Sequence, residues 1–150
     1  MAGIKPKQFK GPLTFIAEEN IIGGTWVAPV SGTSERVQTA ATASTTAVGI
    51  ALGDASAYDF ANADTTDAWG NPVTNAHYPP PEVAVAYQGI FILKNVHAST
   101  AIDFGGTVGV GTDGVGVLPN TTAAQIVGRC VQPGGIAAGE SGAIRIGGTA

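Results

Sequence analysis

Apolar side chains occur along this chain in short runs. The longest is Glu82 to Leu93, Glu-Val-Ala-Val-Ala-Tyr-Gln-Gly-Ile-Phe-Ile-Leu. Its β-branched and aromatic content predicts a buried strand that bends or bulges at Gly89. A helix is disfavoured because Pro79-Pro80-Pro81 stands directly in front. No catalytic constellation sits in the run, which leans toward a structural or binding role.

The other runs are shorter and spaced by turn residues. Leu13 to Ile22 carries Phe15, Ile16, Ile21 and Ile22 around Glu18-Glu19-Asn20, which fits strand, turn, strand. Trp26-Val27-Ala28-Pro29-Val30 is a strand closed by Ser31-Gly32, and Val48-Gly49-Ile50-Ala51-Leu52 is a buried strand closed by Gly53-Asp54. Between them, Glu35 to Thr46 is rich in Ala and Thr, with Val37 its only large apolar residue. Lys94 to Phe104 is a polar connection with room for one helical turn. Thr107–Val110 and Val115–Leu118 flank Gly111-Thr112-Asp113-Gly114, whose Asp-Gly pair marks a hairpin. Ile126–Val131 and Ala143–Ile146 are the last two strands. Short strands with glycine turns predict an all-β fold, a small single-domain barrel or sandwich over residues 13–150.

Two segments depart from this pattern. Residues 1–12 hold Lys5, Lys7 and Lys10, three of the seven basic residues, together with Pro6, Gly11 and Pro12. They form either a solvated terminus or an extended arm that orders on an acidic partner. Residues 57–81 form a long insertion with no period, in which Tyr58, Phe60, Trp69, His77 and Tyr78 stand among Asp, Asn, Ala and Thr. Its large aromatics either anchor an interface or fold back over one end of the core.

A weak internal repeat is also present. Ala47–Leu52, a loop and Val83–Ala86 parallel Ile126–Val131, a loop and Ala143–Ile146. The long insertion sits in the loop of the first copy only.

Composition narrows the function. Only 12% of residues are charged while glycine alone supplies 22, so a lone chain has little to keep its surface solvated. Much of that surface is expected to be covered by partners. The net charge of −4 supplies no field for nucleic acid. One cysteine, Cys130, excludes an intrachain disulfide and fits folding in a reducing cytoplasm. The polar start shows no signal peptide, and no run approaches the ~18 apolar residues of a membrane span.

Several motifs resemble sites without their context. Gly109-Val110-Gly111-Thr112-Asp113-Gly114 matches G-x-G-x-x-G, but strand-like Val115–Leu118 and Pro119 follow it where a phosphate-binding helix is required. Gly139-Glu140-Ser141-Gly142-Ala143 approaches a nucleophile elbow but lacks its last glycine and a placed histidine. His77, His97 and Cys130 have no zinc-ligand spacing, and Asp59, Asn62, Asp64 and Asp67 lack a calcium-loop pattern. Asn120-Thr121-Thr122 is a glycosylation sequon only by pattern. No catalytic residue, metal or cofactor is therefore expected.

Val48-Gly49-Ile50-Ala51-Leu52-Gly53-Asp54-Ala55, Val127-Gly128-Arg129-Cys130-Val131 and Gly139-Glu140-Ser141-Gly142-Ala143-Ile144-Arg145-Ile146 resemble the head-decoration, or capsid cement, proteins of tailed bacteriophages. In that family a V-G-(I/V)-A-L strand, a hairpin region and an I-G-R-(A/C)…G-E ending recur in this order. The similarity covers roughly residues 35–56 and 82–147. It departs at 57–81, where the family has a short Gly-Glu turn. The resemblance implies a virion protein, made in the host cytoplasm, that binds the outer surface of an icosahedral head. There it would cement neighbouring major capsid protein subunits, as a homotrimer whose N-terminal arm makes the contact through Lys5, Lys7, Phe9 and Lys10. The competing expectation is a carbohydrate- or receptor-binding β module using Tyr58, Phe60, Trp69, His77 and Tyr78.

Overall fold

In the computed structural model, residues 11–57, 65–66, 69, 72–73 and 81–147 are described. The strands in chain order are β1 (Leu13–Ala17), β2 (Trp26–Pro29), β3 (Arg36–Thr39), β4 (Gly49–Ala51), β5 (Thr65–Thr66) and β6 (Pro72–Val73). They continue as β7 (Glu82–Ala86), β8 (Gly89–Lys94), β9 (Thr107–Val110), β10 (Val117–Pro119), β11 (Gly128–Cys130) and β12 (Ser141–Ile146). Five of them close into a barrel in the order β1-β3-β2-β4-β7, and five more form a sheet in the order β10-β9-β11-β12-β8. The all-β expectation holds, and the fold combines a barrel with an open sheet.

The longest apolar run is not one strand. Its first half, β7, belongs to the barrel and its second half, β8, forms an edge of the other sheet. The chain crosses between them at Tyr87-Gln88, and Gly89 takes φ +138, a conformation that only glycine adopts without strain. In β7, Val83 and Val85 point into the barrel, whereas in β8 only Leu93 is buried and Ile90 and Ile92 stand 64% and 70% exposed. A continuous apolar run suggests burial on both faces. Here it encodes two strands with separate cores, one of which leaves its outer face in solvent.

Two apolar clusters follow from this division. One fills the barrel with Ala17, Ile21, Val27, Val37, Ala51, Ala55, Val83 and Val85. The other lies between the barrel wall and the open sheet, where Trp26, Ala28 and Ile50 meet Leu93, Val108, Val110, Val117, Cys130, Ile144 and Ile146. Neighbouring side chains on a strand point to opposite faces. Val27 thus enters the barrel while Trp26 and Ala28 enter the second cluster, and β2 and β4 serve both cores.

Trp26 ties the two halves. Its side chain is 2% exposed, and its indole Nε1–H donates to the Gly116 carbonyl at 2.9 Å. The turn bearing Gly116 joins β9 to β10, so the Asp-Gly segment is a hairpin as expected, and it leans on the barrel wall. Gly114 there has φ +75, and a Cβ on it would stand 3.0 Å from the Trp26 carbonyl oxygen and 3.2 Å from that of Ala40. Thr25 bridges Val115, the Ala43 N–H donates to the Val110 carbonyl at 3.0 Å, and the Asp113 N–H donates to Thr42 Oγ1 at 3.2 Å.

Several sequence expectations are corrected. The Glu35–Thr46 stretch contains β3, parallel to β1 and antiparallel to β2. Val37 is the one buried side chain of β3, with Arg36 and Thr39 half-buried and Gln38 exposed, which leaves no readable alternation. Arg36 Nη1 meets Glu18 Oε2 at 2.8 Å beside it, a partly exposed pair of small energetic weight. The expected second strand near Ile21 is a single bridge from Ile21 to Ala55. Lys94–Phe104 has no helical turn; it is bent, and bridges from Asn95 to Val117 and from Ile102 to Ile136 hold it. Asn95, 0% exposed, donates its side-chain N–H groups to the carbonyls of Thr100 (2.9 Å) and Ala137 (3.2 Å), while its Oδ1 accepts from the His97 N–H. The 57–81 insertion is not wholly irregular, because β5 and β6 form a small hairpin within it.

Each half of the weak sequence repeat forms an antiparallel strand pair, in registers one residue apart. β4 pairs antiparallel with β7 in the barrel, and β11 pairs antiparallel with β12 in the open sheet. In each unit the leading glycine, Gly49 or Gly128, faces a carbonyl of the return strand, that of Ala86 or of Arg145.

The Trp26 bond carries a measurable share of stability. In urea denaturation, Trp26→Phe is expected to cost about 0.5–1.5 kcal/mol by removing one of the two bonds to the buried Gly116 carbonyl, which keeps the Gly111 N–H, and Trp26→Ala about 3–5 kcal/mol by adding a cavity. An unchanged midpoint for Trp26→Phe would remove the bond from the account. Gly114→Ala should cost more than Gly32→Ala. Both positions have positive φ, but nothing lies within 4 Å of a Cβ at Gly32.

Candidate functional site

Among the nine residues singled out by the sequence, Lys5, Lys7, Phe9, Lys10, Tyr58, Phe60, His77 and Tyr78 lie outside the described residues. Trp69 is described. It sits in the turn between β5 and β6 and is 86% exposed. For Trp69, then, the expectation that the insertion's aromatics fold back over the core is not met.

The start of the arm is fixed by register. Leu13 pairs with Val85 and Thr14 with Ala84, so the chain before Leu13 leaves the barrel at the end of β7. This is the corner from which Tyr87-Gln88 carries the chain into β8.

The open sheet has one face on the core and one on solvent. Along β8, β12 and β11 the outward positions are Ile90, Ile92, Lys94, Ser141, Ala143, Arg145 and Arg129. Register places Ile90 opposite Arg145 and Arg145 opposite Arg129, so the three stand in a row across three strands. Ile92 faces Ala143 in the next row. Beside Arg129 and Arg145, a cavity of about 270 Å³ opens between β4, β11 and the end of β12, with Val48, Tyr87, Val127 and Gly147 in its wall. Sequence reasoning missed this face because the run containing Ile90 and Ile92 reads as buried. The signal that could have found it was the Ile-x-Ile-x-Lys alternation after Gly89.

The motifs with catalytic resemblance occupy structural positions. Ser141 begins β12 and pairs with Lys94. His97 Nδ1 accepts the Ser99 and Thr100 N–H groups at 3.2 and 2.9 Å, which fixes its ring to a local turn. Asn120 Nδ2 donates to Gln125 Oε1 at 2.9 Å and its Oδ1 accepts from the Thr122 N–H, bracing the turn after β10. Among the described residues, no three His, Cys, Asp or Glu side chains converge as metal ligands, and no helix is long and apolar enough to cross a membrane. Cys130 is buried in the cluster between barrel and sheet.

No family model matches the chain. No curated protein matches it either. Among solved structures, the chain is similar to the N base of head fiber gp8.5 of bacteriophage phi29, with a TM-score of 0.53 and 17% sequence identity over 91% of this chain and 92% of that one. At that identity the likeness is one of fold, and it takes in nearly the whole of both chains.

Proposed function

We propose that this chain is a non-enzymatic structural protein of a phage virion that binds the outer surface of an icosahedral head. The observation that carries the reading is the fold shared, nearly end to end, with the base of a phage head fiber. The decoration-family resemblance, which rests on different grounds, points to the same location. Binding cements neighbouring subunits of the major capsid protein and strengthens the shell against the pressure of packaged DNA. The protein acts as a homotrimer, and its basic arm reaches the adjoining capsid subunits. Each contact is weak, but three arms held on one trimer raise the effective concentration at the shell and make the whole attachment tight.

A low charge content suits this role, because a protein largely covered by shell and sister subunits needs few charges for solubility. Lys5, Lys7 and Lys10 give the arm its electrostatic attraction to an acidic groove, and Phe9 supplies an apolar anchor between them. Deleting residues 1–12 stops short of Leu13 and leaves the β1–β7 pairing in place.

A second reading is favoured by one observation, the exposure of Trp69 at the tip of the β5–β6 hairpin. An exposed indole beside Asp and Asn residues is a stacking platform for a sugar ring. In this reading the insertion binds a glycan or receptor while the barrel serves as its base.

Co-sedimentation with expanded heads lacking the protein distinguishes these roles. The full chain is expected to pellet with the heads, and the chain lacking residues 1–12 is expected to stay in the supernatant with an unchanged melting temperature. Normal decoration by the truncated protein would sink the arm's role. Replacing Lys5, Lys7 and Lys10 together by Glu should abolish binding, and raising salt should weaken the full chain's binding progressively, as expected for exposed charges. On a glycan array, retention of the full chain that is lost in Trp69→Ala would favour the second reading.

A further inference from the structure

The outward face of β8, β12 and β11 combines two features that are each unfavourable in an isolated chain. Arg129 and Arg145 stand directly opposite each other on paired antiparallel strands, and both are exposed. Side chains so placed have Cβ atoms about 4.5–5.5 Å apart, and like charges in that position repel. Among the described residues neither has a carboxylate within ion-pair distance; the ion pair found is that of Arg36 with Glu18. Arg129 directs one weak hydrogen bond, 3.4 Å, to the Gly105 carbonyl. Next in the same row is Ile90, 64% exposed, followed along β8 by Ile92, 70% exposed.

β8 is also the terminal strand of its sheet. An apolar edge strand is a template for pairing with another chain unless charge, proline or a bulge blunts it. Past Lys94 the bridge from Asn95 to Val117 ties the chain to β10, whereas Gly89 to Leu93 carries no charge and no proline. β8, β11 and β12 contain no acidic residue, although the whole chain has a net charge of −4. Among the described residues, Glu140 stands just before β12 and Asp103 in the segment before β9. This face is a cationic and apolar island on an acidic protein.

We infer that the outer face of β8, β12 and β11 is a docking surface for an acidic, extended protein segment. Its carboxylates meet Arg129 and Arg145, and its apolar side chains cover Ile90 and Ile92. The charge complement selects this occupant. The chain's own arm brings Lys5, Lys7 and Lys10 toward two guanidinium groups, and two copies of this face set against each other bring together two sets of arginines. Facing carboxylates relieve the Arg129–Arg145 repulsion and form charge-assisted, bidentate hydrogen bonds. The segment lies across the outward face, where the side chains on its sheet-facing side meet Ile90, Ile92, Arg145 and Arg129 together. The arm leaves the barrel at the corner where β8 begins, so arm and sheet face can engage one acidic surface together.

The test presents the full chain to an array of peptides of about twelve residues, enough to span a strand, in which every second residue is either Asp or Glu or one of Val, Leu, Ile and Phe, so that both kinds share one face, and the intervening residues are Ser or Thr. Matched peptides carrying Lys in place of the acids, and a single-stranded oligonucleotide of similar length, complete the set. The wild-type chain should retain acidic-apolar peptides and neither the lysine set nor the oligonucleotide. Arg129→Gln with Arg145→Gln, and separately Ile90→Ser with Ile92→Ser, should each weaken retention by roughly tenfold or more. Arg129→Glu with Arg145→Glu should move the preference to the lysine peptides. These are surface changes, and an unchanged melting temperature in either pair of variants is enough to read the result. The inference is overturned if the acidic peptides are not retained, if folded variants bind them as the wild type does, or if the oligonucleotide binds equally well. It is also overturned in favour of a second copy if sedimentation velocity shows a self-association that Ile92→Asp abolishes and the acidic peptides do not displace.

Discussion

The structure depends on a wall that is buried on both sides. β2 and β4 are strands of a closed barrel, yet their outward side chains are as inaccessible as their inward ones. Val27 and Ala51 fill the barrel, while Trp26, Ala28 and Ile50 form the floor beneath the open sheet. Neither apolar cluster is large, and each relies on the shared wall. The indole bond from Trp26 to Gly116 fixes the sheet's hairpin against that wall and leaves no buried polar group of the ring unpaired.

This arrangement accounts for the use of small residues. Gly49 sits where the Ala86 carbonyl occupies the space of a side chain, and Gly114 sits against the Trp26 and Ala40 carbonyls. Close approach of backbones lets short strands bury a continuous core without large side chains. The same economy leaves few charges, and those on the open sheet are gathered on one face. Asn95, wholly buried and bonded to the carbonyls of Thr100 and Ala137, takes over where regular pairing stops after β8. It holds the connecting segment to the sheet without a helix.

The β4–β7 and β11–β12 pairs of the weak repeat lie in different sheets and in different surroundings. The first closes a barrel and its β4 is buried on both faces, whereas the second has one face in solvent, where Arg129 and Arg145 are found. The long insertion lies in the loop of the first pair. Of the two candidate binding regions, the hairpin carrying Trp69 lies in the loop of the first pair, and the exposed face combines Arg129 and Arg145 of the second pair with Ile90 and Ile92 of β8.

The sequence by itself determined that the chain is all-β, where most strands lie, that the Asp-Gly segment is a hairpin and that a two-strand unit occurs twice. These follow from local chemistry: β-branched runs, glycine and proline turns, and the failure of each motif to sit before a helix. Only the tertiary structure decided that Glu82–Leu93 divides between two sheets, because a run of apolar residues does not state which of its faces meets a core. β3 was invisible for a related reason, since its single inward Val37 cannot establish a period. The site was legible only in part. Trp69 could be flagged as an unusual aromatic, but its exposure depends on a hairpin too short to be read from sequence. The row of Ile90, Arg145 and Arg129 joins residues from three strands through register, and register is a property of the folded sheet.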